Sequence, residues 1–251
     1  MFANYHTHTA RCKHAVGADR DYVKSAIQSG VKILGFSDHA PFPDYAFVGM
    51  MPDILPEYVA TISALREEFR NDVTMHIGLE LEYDPKNFPK QLDFLKGHGI
   101  EYLILGQHAL FGLTNRAGEY LSGSEERYLD YHCGLQREAM DTGLITYVAH
   151  PDMYNFSGSE EVYERHIRRL CRHARDLGIP LEINLLGLRT NRHYPRPFFW
   201  QIAGEEGCTV ILGCDAHEPA SFLDKTGPAA ATELVNRFNL NLIPSTDLRK
   251  L

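Results

Sequence analysis

Residues 2–8 read Phe-Ala-Asn-Tyr-His-Thr-His, and His14 follows a few positions later. The pattern of residues 2–5 predicts a short first strand. Because side chains alternate between the two faces of a strand, His6 and His8 are expected on one face, close enough for their imidazoles to bind one metal ion. The segment therefore indicates one part of a metal site. A polar strand end without ligand function is the simpler alternative.

The same arrangement recurs along the chain, where short apolar segments end at a histidine or an acidic residue and alternate with segments of helical spacing. The predicted strands are 2–5, 33–36, 73–79, 102–105, 145–149, 180–184 and 209–213, with a short tail strand at 240–242. The predicted helices are 19–29, 57–69, 89–96, 125–142, 160–176, 197–206 and 229–237, and residues 111–123 and 187–195 are predicted as loops. Seven strand–helix units of this kind indicate the α/β class, with a parallel sheet closed into a seven-stranded TIM-like barrel.

Potential metal ligands lie just beyond the carboxyl ends of the predicted strands, where the active site of a βα barrel is built. They are His6, His8, His14, His39, Glu80, His108, His150, Asp215 and His217. Histidines of a core or a surface would have no reason to prefer one end of each strand. One ion accepts about four to six donors, so this set predicts two or three ions, with a carboxylate such as Glu80 as a bridge.

Other polar residues near these positions have simpler interpretations. Asp38, Glu82 and Asp152 adjoin ligands and are predicted to orient imidazoles, although Asp152 could instead cap a turn. A structural role suffices for the histidines inside a strand, beside a turn or on helices, and His193 is left open. They are His76, His98, His132, His166 and His173.

Length and charge limit the possible functions. A chain of 251 residues with 44% hydrophobic and 23% charged residues is long enough for one large core, so residues 1–251 are predicted to form a single domain. The formal net charge of -8 argues against a nucleic-acid partner, because such modules usually carry a basic face. Bound cations would still make a site locally positive, so a small anionic substrate is compatible with this charge.

The cysteines and the amino-terminal segment bear on location. Five scattered cysteines without a C-x-x-C motif favour reduced thiols, and none of them is predicted as a metal ligand. The ligands begin at His6, which leaves no room for a signal peptide, and no apolar run reaches membrane-spanning length. A cytoplasmic protein is expected, with no membrane partner; its oligomeric state is not predicted.

The sequence resembles the polymerase and histidinol phosphatase (PHP) superfamily along its whole length. The resemblance is carried by the amino-terminal H-x-H, S-D-H at 37–39, G-x-E at 78–80, Q-H at 107–108, A-H-P at 149–151 and C-D-A-H at 214–217. It is greatest to the stand-alone histidinol-phosphatase branch, supported by the segments at 38–43, 78–80 and 181–184. That branch usually has Gly-Ser-Val-His after the fourth strand, whereas this chain has Gly106-Gln107-His108-Ala109.

The resemblance implies a distorted seven-stranded barrel and a hydrolase of phosphate esters that uses zinc, manganese or iron. It implies one ion bound by His6, His8, Glu80 and Asp215, a second by Glu80, His108 and His150, and a third by His14, His39 and His217. It further implies a small phosphomonoester as substrate, with L-histidinol phosphate, an intermediate of histidine biosynthesis, as the first expectation. The altered segment at 106–109, Phe111 and the loop to Gly123 leave room for a different alcohol.

In this interpretation a hydroxide held between two ions attacks phosphorus. Arg189 is the first choice for binding the phosphate and Arg192 the second, each with a solvated loop arginine as the alternative. Glu80 is expected to be catalytic as a bridge, and the leaving group is expected to take its proton from metal-bound water, Asp215 or His217, with the choice left open. The rival functions are hydrolysis of another small phosphate ester, of nucleotides or of oligonucleotide ends, and a non-catalytic metal-binding protein.

Overall fold

In the part of the chain that the structure describes, eight parallel strands in sequential order form one sheet, and helices connect them. The computed structural model describes residues 1–42, 49–110 and 125–251. The strands are β1 (Ala3–Asn4), β2 (Ile33–His39), β3 (Thr74–Leu81), β4 (Tyr102–Leu105), β5 (Ile145–Val148), β6 (Leu181–Asn184), β7 (Thr209–Gly213) and β8 (Asn241–Leu242). The α/β class is therefore confirmed, while the sheet has eight strands rather than seven because the predicted tail strand pairs with β7.

All the described helices except α6 occupy the predicted positions to within a few residues. They are α1 (Asp19–Gln28), α2 (Leu55–Glu68), α3 (Phe88–Leu95), α4 (Glu125–Asp141), α5 (Glu160–Asp176), α6 (Leu185–Arg189), α7 (Pro197–Glu205) and α8 (Thr226–Phe238). Short 3-10 turns cover Ala10–Cys12, Pro52–Ile54 and Pro219–Leu223. No helix in the described ranges combines the length and apolarity needed to cross a membrane.

Helix α6 lies where a loop was predicted. The side chain of Asn184 caps it by accepting a hydrogen bond from Gly187 N at 2.9 Å. Glycine is unfavourable inside a helix, so the sequence pattern did not predict this short helix. The Asn184 cap stabilises it. The predicted loop at 111–123 lies outside the described residues, so the proposed influence of Phe111 on the cavity stays a prediction.

The sheet closes at its carboxyl end. Thr7, beyond β1, forms a parallel bridge with Ala216, beyond β7, and His8 N donates to Ala216 O at 3.0 Å. Strand β8 instead pairs with the amino-terminal half of β7. Contacts between β1 and the end of β7 therefore bring the first and last groups of predicted ligands together.

Two apolar clusters hold the strands in place. The larger one lies between the sheet and its helices. The smaller one includes Tyr5, just beyond β1, with Tyr102 of β4 and Tyr147 of β5; because β1 is not a neighbour of β4 or β5, Tyr5 meets the other two across the inside of the curled sheet. Tyr102 Oη donates to the carbonyl oxygens of Tyr5 (2.8 Å) and Phe36 (3.0 Å) and thereby ties β4 to β1 and β2. This packing fixes the floor on which the polar residues lie.

Candidate metal centre

The nine predicted ligands converge at the carboxyl end of the sheet. Eight of them line one cavity of about 520 Å³: His8, His14, His39, Glu80, His108, His150, Asp215 and His217. His6 is completely buried behind them, with its Nε2 only 3.2 Å from Nε2 of His8. The cavity volume lies in the range of small-molecule sites. A larger surface cavity of about 750 Å³ between α1 and α2 contains charges that are already paired, as in the Arg20–Glu68 ion pair.

Glu80 occupies the middle of the cluster, and its two oxygens face different imidazoles. Oε1 lies 2.9 Å from His150 Nε2 and 3.5 Å from His6 Nε2, whereas Oε2 lies 3.0 Å from His39 Nδ1 and 3.4 Å from His8 Nε2. A carboxylate with separate partners on each oxygen has the geometry of a ligand shared between two ions.

Among residues 1–42, 49–110 and 125–251, four groups of three residues bring ligand atoms within 4.8 Å of one another. The groups are His6–His8–Glu80, His6–His150–Asp215, His39–Glu80–His108 and His8–Cys12–His217. The implied pairings of His6, His8 and Glu80, and of Glu80 with His108, are thus present as contacts. The structure differs from the implied sets in bringing His39 to the Glu80–His108 pair and in adding Cys12, which was not predicted as a ligand.

A carboxylate that the sequence analysis missed as part of the site, Glu182 of β6, supports the cluster from below. Its side chain is fully buried. Oε1 lies 2.8 Å from His6 Nδ1, and Oε2 accepts from His150 N and from Asn184 Nδ2, each at 3.0 Å. Such contacts fix the ring orientation and tautomer of a metal-binding imidazole. An acidic residue inside an otherwise apolar strand, Leu-Glu-Ile-Asn, was the available signal.

Two buried carboxylates, those of Glu80 and Glu182, each lie against a glycine of the neighbouring strand or its end, where no side chain would fit. A Cβ at Gly106 would lie 1.9 Å from Glu80 Oε1, and one at Gly213 would lie 1.6 Å from Glu182 Oε1. Real Cβ atoms essentially never come so close to another atom. Gly106 belongs to the segment that departs from the histidinol-phosphatase pattern only after this position.

The departing residue, Gln107, fastens the end of β4 to the end of β3. Its Oε1 accepts from Tyr83 N at 3.1 Å, and its Nε2 donates to Tyr83 O at 3.3 Å and to Ala109 O at 2.7 Å. Glu82 next to it accepts hydrogen bonds from the backbone nitrogens of His108 and Ala109 and pairs with His108 Nδ1. Glu82 therefore orients His108 as predicted, and the substitution at 107 contributes to the same support.

Asp38 and Asp152 adjoin the cluster in different ways. Asp38 accepts from Thr9 N at 3.2 Å, which holds the turn that follows His8, and its Oδ1 faces the predicted imidazole side, 3.6 Å from His8 Nδ1. Asp152 accepts from Arg196 N at 2.5 Å, at the start of α7, and burial raises its pKa to about 7. Its contact is thus with a helix terminus rather than with an imidazole, which corresponds to the capping alternative.

Two of the predicted ligands have an unusual backbone conformation. His150 has φ of 30° and Asp215 has φ of 47°, both in the left-handed region that side chains disfavour. Arg189 supports the second: its guanidinium donates to Cys214 O at 2.6 Å, Asp215 O at 2.8 Å and Ser221 Oγ at 3.2 Å. Strain of this kind persists where surrounding contacts impose it and is concentrated at functional sites.

The two candidate arginines therefore face different surroundings. Arg189 points at the backbone beneath Asp215, whereas Arg192 lines the cavity and donates to Tyr194 Oη at 2.8 Å. Arg192 is exposed apart from this contact. Arg192, the second choice from the sequence, thus lines this cavity, while Arg189 lines the adjoining cavity that also contacts His14 and His217.

Electrostatics in the cluster are dominated by buried carboxylates. Burial opposes a charge on His6, but Glu182, Asp215 and Glu80 raise its pKa to about 10. Burial likewise opposes a charge on His108, while Glu82 and Glu80 raise its pKa to about 9. Although burial favours the neutral acid, His39 and His6 hold the pKa of Glu80 well below its usual range. The negative potential that favours protons on these imidazoles equally favours metal cations.

Unpartnered buried atoms test whether the residues suit metal ions. Within the described residues, His8 Nδ1, His150 Nδ1 and Asp215 Oδ1 are buried and form no hydrogen bond, although Asp215 Oδ1 lies 3.2 Å from His217 Nδ1 and His8 Nδ1 lies 3.6 Å from Asp38 Oδ1. A buried polar atom without a partner is costly, and each such atom calls for an explanation. Imidazole and carboxylate donors around these atoms are those that zinc, iron and manganese accept. The residue set fits bound transition metals.

Comparisons with known proteins agree with this geometry. The PHP domain family model matches residues 4–185. A probable histidinol-phosphatase of Deinococcus radiodurans is 32% identical over 228 residues, which cover 85% of this chain and 85% of that protein. The histidinol-phosphatase of Bacillus subtilis is 24% identical over 85% of this chain and 92% of its own length. A Lactococcus lactis histidinol phosphate phosphatase, solved with zinc, L-histidinol and phosphate, aligns over 98% of both chains with a TM-score of 0.74 and 19% identity.

Proposed function

Because this chain belongs to the PHP domain family, we propose that it is a metal-dependent phosphatase that hydrolyses L-histidinol phosphate to L-histidinol and phosphate. The observation that carries the proposal is the position of Glu80, whose two oxygens face separate groups of imidazoles on the floor of a substrate-sized cavity. A relative that is 32% identical over 85% of both chains is a probable histidinol-phosphatase. A phosphomonoester hydrolase in histidine biosynthesis is therefore the assignment.

Two or three transition-metal ions, of zinc, manganese or iron, are proposed to bind at the predicted positions. The ligands are His6, His8, His14, His39, Glu80, His108, His150, Asp215 and His217. Divalent ions at such a centre lower the pKa of water and neutralise phosphate oxygens. Glu80 would be shared between ions, and Glu182 would keep His6 Nδ1 protonated so that Nε2 faces the centre.

The other proposed roles belong to the cavity wall. Arg192 is the proposed phosphate-binding residue because its guanidinium lines the cavity, and a guanidinium offers paired donors to phosphate oxygens. Arg189 is proposed to position Asp215 through its carbonyl oxygen. Asp215 and His217, with Oδ1 and Nδ1 3.2 Å apart, are the proposed route for a proton to the leaving alcohol.

Shape and charge favour a small substrate. Met153, Leu186 and Tyr194 line the cavity beside the polar cluster and offer an apolar wall to the alcohol part of an ester. The net charge of -8 opposes a polyanionic nucleic acid. We propose further that residues 1–251 act as one phosphoesterase domain in the cytoplasm, where five unpaired cysteines would remain reduced.

Steady-state kinetics test the proposal. The chain, loaded in turn with zinc, manganese and iron, is assayed with histidinol phosphate, an aryl phosphate, a sugar phosphate and a short oligonucleotide. We expect kcat/KM for histidinol phosphate to be the highest of the four and to reach about 10⁴ M⁻¹s⁻¹ or more. Equal values for the aryl ester would reject the specific substrate. A preference for the oligonucleotide would reject the class, and lack of activity with every substrate despite bound metal would support a non-catalytic protein.

A further inference from the structure

Cys12 lies at the edge of the candidate centre with its thiol fully buried. It ends the 3-10 turn Ala10–Cys12, which begins with Thr9 accepting a hydrogen bond from Arg11 N. Lys13 then takes the left-handed conformation, with φ of 70°. This reversal leaves Lys13 exposed, while Cys12 on one side of it is buried and His14 on the other side lines the cavity.

The surroundings of the thiol consist of imidazoles. Ligand atoms of Cys12, His8 and His217 lie within 4.8 Å of one another. The thiol also contacts His14, whose Nδ1 donates to Cys12 O at 2.8 Å and whose Nε2 is thereby left for another partner. The rings of His14 and His217 have centroids 4.7 Å apart.

A second observation points to the same place. His8 is almost completely buried, and within the described residues its Nδ1 has no hydrogen-bond partner. Its Nε2 belongs to the inner group, 3.4 Å from Glu80 Oε2 and 3.3 Å from Asp215 Oδ1. The second nitrogen of His8 thus forms no hydrogen bond, although Asp38 Oδ1 lies 3.6 Å from it, and its ring lies beside the Cys12 thiol.

We propose that Cys12, as a thiolate, is a ligand of an outer metal ion that His14 and His217 also bind. His8 Nδ1–H then has the thiolate as its acceptor, while His8 Nε2 serves the inner ions. The donor set of the outer position is sulfur and nitrogen, in contrast to the nitrogen and oxygen donors around Glu80. Because thiolates favour softer ions, the outer position should select zinc or ferrous iron over manganese.

Cobalt substitution tests the proposal on the full chain. Protein freed of metal is titrated with Co²⁺ without oxygen, and absorbance is recorded in the near ultraviolet, where thiolate-to-cobalt charge transfer is intense. We expect this band in the wild-type chain, its loss in Cys12→Ser, and its retention in Cys133→Ser, which alters an equally buried thiol on α4. Elemental analysis of zinc-loaded Cys12→Ser should also show the loss of about one ion per chain.

The result that overturns the proposal is a wild-type chain that binds cobalt without the band, or a band that persists in Cys12→Ser. If Cys12→Ser fails to fold, zinc X-ray absorption of the wild-type chain decides instead, since a sulfur neighbour lies at about 2.3 Å and nitrogen at about 2.0 Å. Absence of a sulfur shell then rejects the thiolate ligand. The proposal rests on the metal centre of the proposed function, and the two fail differently: a chain that binds no ions rejects both, whereas ions without sulfur reject Cys12 alone.

Discussion

Replacing Glu182 by glutamine removes one negative charge from beneath the candidate centre without changing the size of the side chain. All the contacts described for its two oxygens are with donors: His6 Nδ1 at 2.8 Å and Tyr147 Oη at 3.4 Å on Oε1, and His150 N and Asn184 Nδ2 at 3.0 Å on Oε2. An amide nitrogen introduced by Glu182→Gln would face donors in either orientation. Either the orientation of the His6 ring or the contact that holds the His150 backbone should therefore be lost.

The magnitude follows from that mismatch. A buried donor facing another donor costs about 1–3 kcal/mol. A penalty of about 2 kcal/mol on the metal-binding arrangement corresponds to about 30-fold weaker binding of the inner ion. This value agrees with the 10- to 100-fold effect that residues supporting metal ligands usually have.

Competition for Zn²⁺ against a chromophoric chelator measures the zinc affinity. The value of kcat/KM at saturating zinc shows whether the metal ligands stay misplaced once the ion is bound. Glu233→Gln is the matched control, because it makes the same chemical change on the exposed surface of α8. Circular dichroism confirms that both variants fold. Zinc affinity and kcat/KM within twofold of the wild type in a folded Glu182→Gln would refute the supporting role of this carboxylate.

Three further results are expected. Arg192→Ala should lose about 30-fold in kcat/KM, for a contact of about 2 kcal/mol, with metal content unchanged. Arg189→Ala should instead lose metal, because the Arg189 guanidinium holds the carbonyl oxygen of Asp215. The reverse pattern would assign phosphate binding to Arg189. Glu80→Gln should lose both bound metal, by elemental analysis, and turnover, and normal values of both would remove this carboxylate from the centre. Zinc affinity should fall as the pH is lowered from about 9 to about 6, because the pKa values of about 10 for His6 and about 9 for His108 mean that zinc must displace protons from these imidazoles. Calorimetry in buffers of different ionisation enthalpy should show that zinc binding releases protons.

The positions of the ligands could be predicted from the sequence because a parallel sheet places the carboxyl ends of all its strands at one edge. A histidine or carboxylate just beyond an apolar strand must then lie near the others, whatever the details of packing. His39, Glu80 and His150 are far apart in the chain, yet the polarity of the strands predicted that they meet, and the structure has them in contact. Alternation along a strand likewise predicted that His6 and His8 share a face.

Contacts across the inside of the sheet could not be predicted in the same way. Which side chain meets which depends on the curl of the sheet and on glycine at the neighbouring strand, as the approach of Glu182 to Gly213 shows. Arg189 and Arg192 are three positions apart in sequence, yet helix α6, capped by Asn184, turns the first to the backbone of Asp215 and leaves the second at the cavity.

The sequence by itself therefore determined the α/β class, the order of its elements and the edge at which the ligands collect, because each depends on local periodicity and on the polarity of parallel strands. Only the tertiary structure decided the partner of each polar atom: Glu182 beneath His6, Glu80 between two groups of imidazoles and Cys12 among three others. The physical reason is that hydrogen bonds and metal coordination depend on distances of a few tenths of an ångström, which packing sets and residue order does not.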